Sequence, residues 1–186
     1  MVISALFIVF SVNNDLKYAG DPTPHMMDPD WIGELLWLKT SSPTTGVDSL
    51  KVYEKDTFEY PKEAYGVMAW WDYGHYISFI GERIPNTNPF QDHLAGKNGA
   101  AAFFTAQDEP SAAKNIEKAG SKFIITNVEI ATSKFYAIAE WRNASSGVEP
   151  YQKQFLFPDR ERLNQYIPVF FNTAEYYRTI IARLHL

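Results

Sequence analysis

Six neighbouring residues carry most of the chemistry in this sequence: Trp70-Trp71-Asp72-Tyr73-Gly74-His75. Each indole offers one N–H donor and no acceptor, whereas an ionised carboxylate only accepts. Two donors and one acceptor at a single corner suit a small hydroxyl group, which both donates and accepts. Neighbouring side chains of an extended segment point to opposite sides, so both tryptophans cannot enter one core pocket. The structural alternative is a strand end with tryptophans in the core and Asp72 capping a helix.

Other groups carry less. The four histidines, His25, His75, His93 and His185, are scattered, with no i, i+4 pair. His75 follows the motif and is read either as lining the pocket or as a surface residue. There is no cysteine, which excludes a disulfide framework, a zinc–thiolate site and a thiol nucleophile. Asp28, Asp30 and Glu34 are oxygen donors of the kind hard cations take, but Asp28 reads as a helix cap. Glu82 with Asp92 or Asp108 would suit a glycosidase, yet nothing in the sequence fixes their separation. No phosphate-binding glycine loop or nucleophile elbow occurs. Asn143-Ala144-Ser145 is itself an N-glycosylation triplet, in a stretch read as a polar loop.

The elements that must position the motif can be read from the pattern. Asp28 caps a helix with Pro29 in its first turn, and Trp31, Leu35 and Leu38 form its apolar stripe. A short strand is expected at Leu50 to Tyr53. Tyr65 to Trp71 is short and continuously apolar, which reads as a buried strand. Asp72 then caps a helix through Tyr76, Ile77 and Ile80. Further helices are expected over residues 98–106, after Asp108, and from Val128 to about Trp141, the last capped by Asn127. Lys122 to Thr126 reads as a strand. Asn172, with Glu175 three residues on, has capping-box spacing and opens a final helix. The expectation is a mixed α/β, helix-dominated domain with a few short strands, compact and single, over residues 28–186.

Bulk properties bound the rest. The chain has 186 residues, 46% of them apolar, which suffices for one ordinary core. Its net charge of -5 and lack of any Lys/Arg cluster argue against nucleic acid as a partner. Met1 to Val12 is an apolar run shorter than the roughly 20 residues a spanning helix needs. It is read either as an opening element of this domain or as the stump of a transmembrane helix, with residues 13–27 as a connector.

The string Trp-Trp-Asp-Tyr-Gly resembles the signature of oligosaccharyltransferase catalytic subunits. Gly66-Val67-Met68-Ala69 before it, Ile84-Pro85 and Asn88-Pro89 after it, and the terminal Tyr176-Tyr177-Arg178 are similar to the archaeal members, and the resemblance covers most of residues 28–186. A second family element runs Asp, then Met, Lys and Ile or Met at spacings of three, four and four. This chain places Asn127, Ile130, Lys134 and Ile138 at those positions. That spacing puts all of them on one helical face. Asn127 and Ile130 depart from the family's Asp and Met, and Asn127 lacks the charge. The plain alternative for Ile130, Lys134 and Ile138 is a helix flank packed on the core.

The resemblance implies the function. The family transfers an oligosaccharide from a lipid carrier to the Asn of an Asn-X-Ser/Thr acceptor polypeptide. Trp70, Trp71 and Asp72 would bind the Ser/Thr hydroxyl, Ile138 would touch the threonine methyl, and Lys134 would pair with Asp72 or orient the pocket. Tyr73 and Gly74 would shape the turn. The resemblance also implies a transmembrane domain outside this chain that holds the lipid-linked oligosaccharide and the Mn or Mg ion. The fragment itself is expected to hold no catalytic residue or metal, to be inactive alone, and to lie on the extracytoplasmic face of the cell membrane. The competing reading is an aromatic-rich extracellular carbohydrate-binding module.

Overall fold

The structure, a computed structural model, describes residues 29–54, 56–162 and 164–186. The expectations for Met1 to Val12, for the connector and for the Asp28 cap lie outside the described residues. Helix α1 (Pro29–Ser41) buries Trp31, Leu35 and Leu38, the stripe expected from their spacing. Its C-terminal carbonyls are anchored by Arg83. That guanidinium is buried and donates to Lys39 O at 3.1 Å and to Ser42 O at 2.9 Å. A buried cation at carbonyls that lack helical partners satisfies both groups.

Strand β1 (Gly66–Met68) is buried at every position, as a continuous apolar run requires. A single 3-10 turn (Trp71–Tyr73) and helix α2 (Gly74–Phe79) follow, then strand β2 (Ile84–Pro85). Helices α3 (Ala100–Phe104) and α4 (Glu109–Lys118) lead to strand β3 (Ser121–Ile124). The sheet order is β2-β1-β3, and both pairings are parallel. Helices α5 (Val128–Ala131) and α6 (Phe135–Arg142) come next, then strands β4 (Gln152–Pro158) and β5 (Tyr166–Asn172). Helices α7 (Ala174–Arg178) and α8 (Ile180–His185) close the chain. The result is a single helix-dominated mixed α/β domain. Phe135 lies at its centre, edge-on to Tyr151 at 5.1 Å and Tyr176 at 4.8 Å. The Tyr176 hydroxyl donates to Ala131 O at 2.6 Å. Among the described residues no helix is long and apolar enough to cross a membrane.

Four expectations are corrected. Leu50 to Tyr53 is not a strand. Asp48 turns the chain there by accepting from the Leu50 and Lys51 amides, and Val52 is 91% exposed rather than buried in a sheet. Asp72 does not cap α2. It lies inside the 3-10 turn, and the cap residue is Tyr73. The helix expected from Val128 to Trp141 is two helices. Thr132 and Ser133 turn their hydroxyls back to the Val128 and Glu129 carbonyls, and Thr132 leaves helical geometry at ψ -89°. The final helix is also split and is capped by Thr173, not Asn172, which ends β5 instead. Thr179 breaks it, its hydroxyl donating to Tyr176 O and accepting from the Ala182 amide.

The β4–β5 hairpin stands apart from the body. No residue of either strand belongs to the buried core cluster. Phe155, Phe157, Ile167 and Phe171 share one of its faces and are all exposed. Stability is therefore expected to separate the two regions. Phe135→Ala should cost about 3–5 kcal/mol in urea denaturation, and Phe157→Ala should stay within about 0.5 kcal/mol. Equal losses would mean the hairpin packs on the core.

Candidate functional site

Two segments far apart in sequence leave neighbouring strands at the same end. β1 and β3 are parallel, and the Ile125 amide extends their ladder by donating to Met68 O at 2.9 Å. The motif therefore emerges from the carboxyl end of β1 beside Asn127, which emerges from β3. Open parallel sheets bind ligands at that end.

Trp70 ends the extended segment at φ -74°, ψ 150° and is buried edge-on to Phe104, with centroids 6.2 Å apart. Trp71 starts the 3-10 turn and is half-buried against the core. The two indoles thus occupy different environments, as their adjacency requires. With Trp70 only 1% exposed, the pair presents no flat platform for a sugar ring. Asp72 receives the Lys134 ammonium on Oδ2, and both side chains are about one quarter exposed. Its other oxygen, Oδ1, is buried and has no hydrogen-bond partner; among the described residues it is the one such side-chain atom. A buried acceptor left unsatisfied costs about 1–3 kcal/mol, and such an exception calls for an explanation.

Tyr73 joins the two segments. Its ring stacks on Trp31 of α1 at 4.1 Å and 11°. Its hydroxyl donates to Glu129 Oε2 at 3.0 Å and accepts from Asn127 Nδ2 at 3.2 Å. Lys134 Nζ lies 5.4 Å from the centre of the same ring. Burial pushes the phenol well above its ordinary value of 10.0; the Asn127 amide opposes the rise, and Glu129 and Asp72 add to it. The hydroxyl therefore stays protonated and remains a donor. Gly74 has no room for a side chain, since a Cβ there would meet Thr87 O at 2.2 Å.

Asn127 caps α5, its Oδ1 accepting from the Ile130 amide at 3.1 Å. Ile130 and Ile138 are fully buried in the core. Lys134 turns towards Asp72, because the break at residues 132–134 takes it off the axis of α5. The structure thus brings Asp72, Tyr73, Asn127 and Lys134 together, while Trp70, Ile130 and Ile138 stand behind them in the core. Sequence reasoning missed Trp31 and Glu129. The signal for Glu129 was an acid two residues after a helix cap; for Trp31 no local signal existed. His75 is exposed and edge-on to Phe90 at 5.6 Å.

The remaining candidates are dispersed. Glu82 pairs with Lys39 at 2.7 Å, and Asp108 caps α4 with both oxygens on Ser111. Asp92 and His93 line a separate cavity of about 500 Å³ with Tyr60, Asn86, Gly66 and Gly120. The two glycines place that cavity towards the amino ends of β1 and β3, away from the motif. Asn143 follows α6 and is exposed, its Oδ1 accepting from the Ser145 amide at 3.1 Å. Among the described residues no three His, Asp or Glu side chains converge where a metal ion could sit.

The AglB core domain family matches residues 28–131. Over 196 residues the chain is 32% identical to dolichyl-phosphooligosaccharide-protein glycotransferase 3 of Archaeoglobus fulgidus, a match covering 91% of this chain and 22% of that protein. An Archaeoglobus fulgidus oligosaccharyltransferase tethered through a disulfide bond to an acceptor peptide with the NVT sequon superposes with a TM-score of 0.69 at 32% identity, covering 86% of this chain and 22% of that one. The same enzyme has been crystallised with Zn and sulfate. The C-terminal globular domain of a second Archaeoglobus fulgidus oligosaccharyltransferase, solved by itself, gives a TM-score of 0.56 at 27% identity over 86% of this chain and 83% of that one. The chain belongs to the AglB core-like family of archaeal oligosaccharyltransferases, which are glycosyltransferases, and has the fold of their C-terminal globular domain. It spans under a quarter of the length of the curated relatives it matches.

Two outcomes are expected at the site. Gly74→Ala should cost about 1–3 kcal/mol, because the added methyl meets backbone that cannot step aside; a melting temperature equal to that of the parent would contradict the close approach. Tyr73 has a raised folded-state pKa, so the folded chain holds a proton that the unfolded chain releases above about pH 10. Its contribution is complete below that pH and is lost as pH rises further. Tyr73→Phe should flatten the alkaline fall in stability, measured by denaturant titrations across that range.

Proposed function

We propose that this domain recognises the Asn-X-Ser/Thr acceptor for a membrane oligosaccharyltransferase that moves a lipid-linked oligosaccharide onto the Asn. The observation that carries the reading is the buried, unpartnered Oδ1 of Asp72, directly after two indole donors. A serine or threonine hydroxyl would donate to that oxygen and accept from an indole N–H. Lys134, already on Oδ2, holds the carboxylate oriented. Because Oδ1 and Ile138 are both buried, the acceptor enters only when the wall around Asp72 opens locally. Ile138 would then meet the threonine methyl. One buried methyl is worth about 0.8 kcal/mol, several-fold in favour of threonine over serine.

The acceptor peptide tethered to the relative and the dolichyl-linked donor in relatives' names support the same assignment. The lipid-linked oligosaccharide and the transmembrane domain that would hold it are proposed as partners in the complete enzyme. The membrane location, with this domain on the extracytoplasmic face, follows from that proposal. The divalent ion, Mn or Mg, is assigned to residues outside this chain, and no step of the reading runs through it. The chain alone is proposed to be inactive.

Glycan transfer by the complete enzyme should be measured with an Asn-X-Thr peptide, its Asn-X-Ala twin, and Asp72→Ala. A site built for a hydroxyl rejects the analogue that lacks it by orders of magnitude. Transfer to the alanine peptide should therefore be negligible, and Asp72→Ala should lower transfer to the threonine peptide about a hundredfold or more. Unchanged transfer by Asp72→Ala would leave the motif a structural turn.

A further inference from the structure

We propose that Glu129 is a positioning residue of the acceptor pocket, acting through Tyr73. The inference rests on the acceptor-pocket reading and names what holds that pocket's second wall in place. The wall is the segment from Asn127 to Lys134, and it is a poor helix. Four residues form α5, the hydroxyls of Thr132 and Ser133 break it at Thr132, and Lys134 caps the next helix, α6. Such a segment has little intrinsic stability, because short helices rely on tertiary contacts. Lys134 nevertheless has to meet Asp72.

Glu129 supplies the tie at two points. Its carbonyl accepts from the Lys134 amide at 3.0 Å, closing the turn that aims Lys134. Its carboxylate accepts from the Tyr73 hydroxyl at 3.0 Å, fastening that turn to the motif. Tyr73 is itself fixed by its stack on Trp31 and by the Asn127 amide. Asn127 can cap α5 and donate to the phenol, but it brings no negative charge. The hydrogen bond to a carboxylate therefore comes from position 129, and such charge-assisted bonds are roughly twice as strong as neutral ones. Glu129 is an exposed residue with no ion pair to another side chain among the described residues. The one side-chain hydrogen bond of its carboxylate among the described residues is the tie to Tyr73.

The test is acceptor kinetics of the complete enzyme with the Asn-X-Thr peptide, with lipid-linked donor saturating. Glu129→Ala should raise the acceptor KM about tenfold or more, in line with loss of one charged hydrogen bond, and leave kcat within about twofold. Glu129→Gln, which keeps an acceptor oxygen for Tyr73 but not the charge, should recover part of that KM. Tyr73→Phe should raise KM similarly, and the double variant should be no worse than either single one, because both remove the same bond. An unchanged KM in Glu129→Ala, additive effects in the double variant, or no recovery with Gln would overturn the proposal. Asp72→Ala in the same assay separates the two readings. If it removes transfer while Glu129→Ala keeps the parental KM, the positioning role alone fails. If Asp72→Ala transfers normally, the pocket reading fails with it.

Discussion

The parallel pairing of β1 with β3 is the constraint on which the site depends. Each strand is three or four residues long, and β1 is buried at every position. So short a strand holds its register only because it is paired on both sides and covered by helices. Parallel order sends both chains out at the same end. It thereby brings residues 70–73 against residues 127–134 across more than fifty positions of sequence. An antiparallel pairing would have carried the two segments to opposite ends, and Asp72 and Lys134 could not have met.

Around that end the packing runs outward from apolar to charged. Trp70, Ile130 and Ile138 belong to the core, with almost no exposure. Tyr73 sits above it, its ring in the stack with Trp31 and its hydroxyl between Asn127 and Glu129. Asp72 and Lys134 form the outermost layer, still partly in water. Arg83 contributes from a distance. By holding the carbonyl end of α1 it fixes the helix that carries Trp31, and so the plane of Tyr73. A carboxylate with one oxygen held and one left unpaired is then a tolerated local cost, of the kind found where a ligand completes the hydrogen bonding.

The places where local reading and structure diverge share a cause. Threonines 132, 173 and 179 each break or cap a helix through the side-chain hydroxyl, where periodicity alone suggested continuation or another cap. The apolar runs Phe155 to Phe157 and Tyr166 to Phe171 form a projecting hairpin. Their strand signal is two β-prone runs around a polar turn, but many of these side chains stay exposed, so the pattern did not mark them as core.

The sequence by itself determined the helix-dominated α/β class, the buried stripe of α1, the strand before the motif, the unusual string from Trp70 to Tyr73 and the helix cap at Asn127. These follow from local pattern: apolar spacing, cap chemistry and an unusual string of donors and an acceptor. Only the tertiary structure decided that Asp72 lies within a 3-10 turn rather than at a cap, that Ile130 and Ile138 lie beneath the site, and that Trp31 and Glu129 brace Tyr73. Those facts depend on contacts across 40 to 60 positions of sequence, such as the 42 from Trp31 to Tyr73 and the 56 from Tyr73 to Glu129. Local propensity holds no record of such distances, because they are set by how strands pair and where helices break.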